Sequence, residues 1–164
     1  MTFPPIEIPF RLHETVVAPD WIDANGHMNA WQYNTAFRQP MQRFFAMMGL
    51  GLTFTDDAGR GIFLLDCRIQ YIDEVMVGMP LVFETRLVDY SDKIIHYLTT
   101  MLAGEERYTA ATCEALEIQV EHETRRPVAF STDLMAYLRD MLRAHNELPL
   151  PASVGGVIGI RRKS

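Results

Sequence analysis

The sequence predicts an α+β domain in which a curved antiparallel β-sheet wraps around a central apolar α-helix. Three observations carry that expectation. Residues 30–48 hold Trp31, Tyr33, Ala36, Phe37, Met41, Phe44, Phe45, Met47 and Met48 at helical spacing, and a helix apolar on nearly every side needs something around it. Residues 62–120 read as four strands separated by turn residues, with period-2 alternation clearest over 81–90. One more strand, over 11–18, precedes the helix. A flat face would leave such a helix partly bare, whereas a curved sheet covers much of its circumference.

Each element has its local signals. Strand 11–18 offers Leu12, Thr15, Val16 and Val17 as buried positions and ends at Pro19-Asp20. Asn29 with Gln32 three residues on resembles a capping box, in which each side chain satisfies a free backbone N–H. Pro40 removes the hydrogen bond to Ala36 and is expected to kink the helix, which Gly49 and Gly51 then stop. Strand 62–72 ends at Asp73-Glu74, and Gly78-Met79-Pro80 introduces strand 81–90. Ser91-Asp92-Lys93 turns into strand 94–102 and Gly104-Glu105-Glu106 into strand 108–120, so these strands are expected to form consecutive antiparallel hairpins. After Pro127, Ser131 or Thr132 caps a second helix with an amphipathic stripe of Leu134, Met135, Leu138, Met141 and Leu142.

Length and composition bound the rest. The 164 residues, 48% hydrophobic and 22% charged, fit one globular domain over 1–164, with a core at about 11–142 and an irregular Pro/Gly-rich tail at 146–164. The net charge of −6 is the wrong sign for binding nucleic acid or an acidic membrane. No apolar run reaches the ~20 residues of a membrane span, and no basic stretch with a hydrophobic core marks a signal peptide. Cys67 and Cys113 lack metal-ligand spacing and read as lone thiols of a reducing, cytoplasmic compartment. His13, His96, His122 and His145 are scattered, so no metal site is expected. No Ser sits in a Gly-x-Ser-x-Gly elbow, and Gly59-Arg60-Gly61 lacks the Lys and spacing of a phosphate loop.

The densest polar run, Asp20, Asp23, Asn25, His27 and Asn29, opens the most apolar helix. In isolation Asp23 is a turn former, its side chain bonding its own backbone two residues on. A carboxylate beside helical N–H groups can also do chemistry, as a base or nucleophile with donors for a developing oxyanion.

The motif Asp20-x-x-Asp23-x-x-Gly26-His27-Met28-Asn29-x-x-x-Tyr33, the strand ending Gln70-Tyr71 followed by Val77-Gly78, and Arg126-Pro127 before the last helix together resemble the hotdog-fold thioesterases of the 4-hydroxybenzoyl-CoA thioesterase type. The resemblance covers roughly residues 11–142. It implies hydrolysis of an acyl-CoA thioester with Asp23 as general base or nucleophile, no cofactor beyond the CoA of the substrate, and sites built between the subunits of a homodimer or dimer of dimers. It also implies a backbone N–H near Gly61 for the thioester carbonyl.

His27 is either a general acid/base or substrate contact, or a ring that shapes its loop. Asn25, Gly26 and Asn29 are loop and cap residues within reach of substrate, Trp31 another candidate contact. Tyr33 is a core residue that can line the acyl pocket. Because CoA is a polyanion, a local basic patch is expected from Arg60, Arg86, Lys93 and Arg107, with Arg125, Arg126 and the Arg161-Arg162-Lys163 tail as further sources. Trp21, Trp31 and Tyr33 bracket the Asp23 loop, and aromatic faces attract quaternary ammonium groups. This region, with Ile158-Gly159-Ile160 near the end, is similar to thioesterases associated with carnitine and betaine breakdown, which makes betainyl a candidate acyl group. Alternatively, the tryptophans pack a dimer interface or a plain acyl pocket. Two other functions stay open: an acyl-thioester dehydratase pairing Asp23 with His27, and a non-catalytic domain binding acyl-CoA or a small ligand.

Overall fold

The computed structural model describes residues 2–51 and 59–160. In chain order it has β1 (Phe10–Val16), a 3-10 turn (Pro19–Trp21), α1 (Ala30–Met47), β2 (Arg60–Tyr71), β3 (Pro80–Tyr90), β4 (Ile94–Ala103), β5 (Tyr108–Glu121) and α2 (Thr132–His145). All neighbouring strands are antiparallel. The sheet order is β1-β3-β4-β5-β2, which corrects the expectation that the four later strands pair in consecutive order. Only β3-β4-β5 form such a run. β1 takes the free edge of β3, so β2 instead lies along the long β5, pairing Gly61 with Val120 and Tyr71 with Ala111.

Register assigns the two faces of the sheet. The row Leu87–Tyr97–Ala115–Cys67 faces α1, and the neighbouring row Arg86–Leu98–Glu114–Arg68 faces away. Tyr33, Ala36, Phe37, Pro40, Phe44 and Phe45 of α1 are buried, an i, i+3, i+4 stripe. The helix is therefore less fully wrapped than its composition suggests: Trp31 is 79% exposed, and Asn34, Thr35 and Arg38 face outward beside it. One assignment runs unbroken through Pro40. At its N-terminus Asn29 accepts from the N–H of Trp31, and its own N–H donates to the carbonyl of Trp21. The reciprocal capping box with Gln32 is not formed, because Trp21 already satisfies the donor Gln32 would have served.

Two clusters make the core. Phe10, Phe44, Phe45, Leu87, Tyr97 and the α2 residues Leu134, Leu138 and Met141 form one. Met28, Tyr33, Phe37, Val75, Phe83, Met101 and Ala111 form the other, beneath the start of α1. The C-terminal tail covers the far face of the sheet. Arg86, expected at the surface, is buried there: Nη1 donates to the carbonyl of Pro149, and Nη2 to those of His145 and Leu148. Arg68 donates to Ser153, and the N–H of Gly155 donates to Glu114, which also pairs with His96 at 2.8 Å. Arg86 is thus a clasp for the end of α2 and the tail. Arg161, Arg162 and Lys163 lie outside the described residues.

His145, fully buried, joins three segments. Its Nδ1 accepts from the N–H of Leu87, so Nε2 carries the proton it donates to the carbonyl of Glu7. That tautomer is neutral. Burial lowers the pKa from its ordinary 6.5; the Glu7 bond acts the other way and the Arg86 charge reinforces the lowering. Because the unfolded chain takes up this proton at higher pH than the folded one, stability falls as pH drops from 6.5 toward the lowered folded value. Urea midpoints measured across that window should decline for the wild type. They should decline less for His145→Gln, which is less stable at neutral pH; an equal slope would remove His145 as the cause.

Candidate active site

The segment between β1 and α1 is held by its own backbone. The N–H of Val17 donates to Met79 and that of Gly78 to Val17, fastening the segment to the approach to β3. Ile22 and Met28 form an antiparallel bridge, inside which Asp23 N–H donates to the carbonyl of His27 and Gly26 N–H to that of Asp23. Gly26 stands at φ +86, with nothing near its missing Cβ, so backbone conformation rather than crowding requires glycine. Asp23 Oδ1 accepts the N–H of Asn25 at 2.8 Å. The turn-forming role expected of Asp23 is thus present.

The loop also faces a cavity of about 480 Å³ lined by Asp23, His27, Met28, Ala30, Tyr33, Tyr71, Ile72, Asp73 and Glu74. Three of the expected site residues, Asp23, His27 and Tyr33, therefore meet. Tyr33 reaches from the core, its hydroxyl 3.4 Å from the carbonyl of Asp73 and its ring edge-on to Tyr71 at 5.1 Å. Burial, aided by the charges of Tyr108, Asp73, Glu74 and Tyr71, pushes the Tyr33 hydroxyl up to about 12, so it stays a donor at neutral pH. Tyr108 donates to the carbonyl of Glu74 at 2.6 Å and steadies the opposite wall. Asp73 and Glu74 are site residues that local reading missed, since in sequence they only end a strand. Their place beside Asp23 arises in the connection from β2 to β3, where Val75 accepts from the N–H of Met28 and the N–H of Gly78 donates to Val17.

The other expected residues are dispersed. Asn25 and Gly26 are the exposed tip of the loop and do not line the cavity, and Asn29 is the helix cap. Trp21 packs against the core. Trp31 lines a neighbouring cavity of about 450 Å³ with Ala30, Asn34, Leu64, Cys67, Ile69 and Tyr71. Gly61 lies ten residues before Tyr71 on β2, roughly 33 Å away at the rise of an extended strand. It cannot serve the Asp23 cavity of the same chain. A Cβ there would meet His122 Nε2 at 2.7 Å.

The basic patch also divides within one protomer. Arg60 begins β2, and Lys93, in the β3–β4 turn, accepts through its carbonyl from Gln119, so both sit at the Gly61 end. The carbonyl of Arg126, beside Arg125, accepts from Glu121 at that same end. Arg107, at the β4–β5 turn with φ +53, lies at the Asp23 end. Arg86 is buried on the far face.

A helix backed by a curved antiparallel sheet, with a carboxylate-bearing loop opening onto a cavity at the helix N-terminus, defines a hotdog-fold domain. The family model of the thioesterase-like superfamily matches residues 17–138, and the chain belongs to that family. A betainyl-CoA thioesterase of Pseudomonas aeruginosa is 28% identical over 148 residues, covering 90% of this chain and 93% of its own. An L-carnitine dehydrogenase/betainyl-CoA thioesterase of Agrobacterium fabrum is 34% identical over 158 residues, 96% of this chain but 32% of the relative, so the chain spans about a third of that protein. A Staphylococcus aureus protein solved in complex with CoA superposes with a TM-score of 0.81 at 24% identity, covering 96% of this chain and 100% of its own. Among the described residues no helix is long and apolar enough to cross a membrane.

Proposed function

We propose that the protein hydrolyses an acyl-CoA thioester carrying a small cationic acyl group, with betainyl-CoA the first candidate and Asp23 the key carboxylate. The observation that carries the cationic part is the lining of the Asp23 cavity: the acidic residues Asp23, Asp73 and Glu74, the aromatic residues Tyr33 and Tyr71, and, among the described residues that line it, neither Lys nor Arg. Negative charge and aromatic faces are what a quaternary ammonium group requires. The names of the Pseudomonas and Agrobacterium relatives support the same substrate. Asp23 uses Oδ1 to hold its loop. Its second oxygen can activate water or attack the thioester carbon, while the N–H of Ala30, in the first turn of α1 and lining the same cavity, can receive the oxyanion. His27 stands beside Asp23 as a proton carrier or substrate contact.

The active unit in this proposal is a homodimer. Among the described residues β2 is an edge strand with Leu64 57% and Leu65 53% exposed, and long apolar edges seek a partner. Antiparallel pairing of two β2 strands would lay the Gly61 end of one protomer over the Tyr71 end of the other. Gly61, Arg60 and Lys93 would then approach the Asp23 cavity of the second protomer and supply the cations that CoA phosphates need. Sedimentation equilibrium returning a monomer would remove that contribution.

Thiol release from betainyl-, butyryl- and benzoyl-CoA tests the function. Betainyl-CoA should be turned over with the highest kcat/KM. Enoyl formation from 3-hydroxybutyryl-CoA, included as the substrate that can lose water, would indicate a dehydratase, and tight binding without turnover a sensor. The double variant Asp73→Asn/Glu74→Gln should lower kcat/KM for betainyl-CoA by about tenfold, as the loss of 1–2 kcal/mol of cation recognition implies, and leave butyryl-CoA nearly unchanged. An equal loss on both substrates would refute a charge-reading role.

A further inference from the structure

Cys67 and Cys113, far apart in sequence, are brought together by the pairing of β2 with β5. Cys67 lies opposite Ala115 and Cys113 opposite Ile69, so the two occupy adjacent rows of the face toward α1. Their Sγ atoms are 3.5 Å apart. They are neither lone nor alike. Cys67 is exposed and Cys113 buried, and both line a cavity of about 310 Å³ between α1 and the sheet, with Phe37, Met41, Tyr97 and Thr99. Cys67 alone also borders the neighbouring cavity lined by Trp31. Its side chain leaves the sheet plane on the α1 face, away from the edge hydrogen bonds of β2.

We propose that Cys67 and Cys113 form a thiol–disulfide exchange site for low-molecular-weight disulfides, Cys67 being the attacking thiol and Cys113 the resolving one. The Cys67 thiolate attacks one sulfur of R–S–S–R, forming Cys67–S–S–R and releasing RS⁻, which takes a proton from water. Cys113 then loses its proton and attacks the Cys67 sulfur, closing the Cys67–Cys113 bond and expelling the second RS⁻. The protein dithiol is oxidised to a disulfide, and one R–S–S–R is reduced to two RSH.

Three features support the assignment of roles. Cys67 is open to an incoming disulfide while Cys113 lies behind it, and the contact between the two sulfurs, in which either can be the donor, lowers the Cys67 thiol whereas burial helps raise Cys113. An exposed thiol of lowered pKa beside a buried one divides the labour of attack and resolution. Closing from 3.5 Å to the ~2.05 Å of a disulfide asks the sulfurs to approach by about 1.5 Å, and because the two residues are diagonal neighbours, ordinarily ~7–8 Å apart, β2 must also shift toward β5. The new bond would tie the edge strand β2 to β5 in the wall of the cavity beneath α1. The site is independent of the hydrolytic proposal, because it involves neither Asp23 nor a thioester.

The test is intact-mass measurement of the whole chain after exposure to glutathione disulfide, with alkylation under denaturing conditions. Cys67 and Cys113 are the chain's two cysteines, so assignment is unambiguous. The wild type should become lighter by two hydrogens, resist alkylation and revert with dithiothreitol. Cys113→Ser, and separately Cys113→Ala, should instead keep one glutathione on Cys67. A wild type that retains bound glutathione, or that reacts only when unfolded in urea, would overturn the proposal. Neither outcome bears on thiol release from acyl-CoA, so the two failures are distinguishable.

Discussion

Asp23→Asn lowers kcat for acyl-CoA hydrolysis by about 10²–10⁴-fold, the usual contribution of a positioned acid–base group. The substitution isolates the charge. Asn keeps an oxygen where Oδ1 accepts from Asn25, so the loop and its helix cap should hold their shape and thermal stability should change little. What disappears is the anion that the proposed mechanism uses to deprotonate water or attack the carbonyl. Asp23→Ala removes the Asn25 bond as well, and so should lose stability in addition to rate. Full thiol release by Asp23→Asn would reduce Asp23 to the turn former that its Asx bond already makes it. A KM that rises with unchanged kcat would make it a binding group rather than a base.

Phe44→Ala destabilises the fold by about 3–5 kcal/mol, the range for emptying a buried aromatic site. For a chain of this length that corresponds to a drop in Tm on the order of 10 °C. Phe44 is fully buried where three elements converge: its ring lies 6.2 Å from Phe10 of β1, 5.7 Å from Phe45 and 5.5 Å from Tyr97 of β4. The hole cannot close easily. α1 is pinned at its start by Asn29 and Tyr33, and the Tyr97 hydroxyl is bonded to Glu117 at 2.7 Å. That carboxylate is itself buried, which pushes it up to about 7. A loss below about 1 kcal/mol by chemical denaturation would mean the core relaxes around the gap instead.

Much of the fold was legible in one dimension. The alternation of Leu81, Phe83, Thr85 and Leu87 marks β3, the Ser131 cap marks α2, and Gly49 marks the end of α1, because each is a local effect of backbone geometry on neighbouring residues. Pairing was not legible. Nothing within 62–72 says that this strand will lie along β5, since that depends on β1 already occupying β3. The capping box illustrates the same limit on a smaller scale: Asn29 and Gln32 have the right spacing, yet Trp21 takes the donor.

The candidate site divides along the same line. Asp23, Gly26, His27 and Asn29 belong to one short loop, and their nearness to a helix N-terminus is a consequence of sequence order alone. Asp73 and Glu74 reach the cavity because the connection from β2 to β3 returns past the Asp23 loop, where Met28 donates to Val75. Arg86 left the expected basic patch because its register places it on the far face of the sheet, where the tail offers three carbonyls. Cys67 and Cys113, lone thiols in sequence, became a pair because β2 and β5 pair with the offset that sets Cys67 against Ala115. Hydrophobic period and turn chemistry act over a few residues and are written in the chain order. Register and crossing are set by competition among distant segments for the same sheet edges, and the folded chain alone resolves that competition.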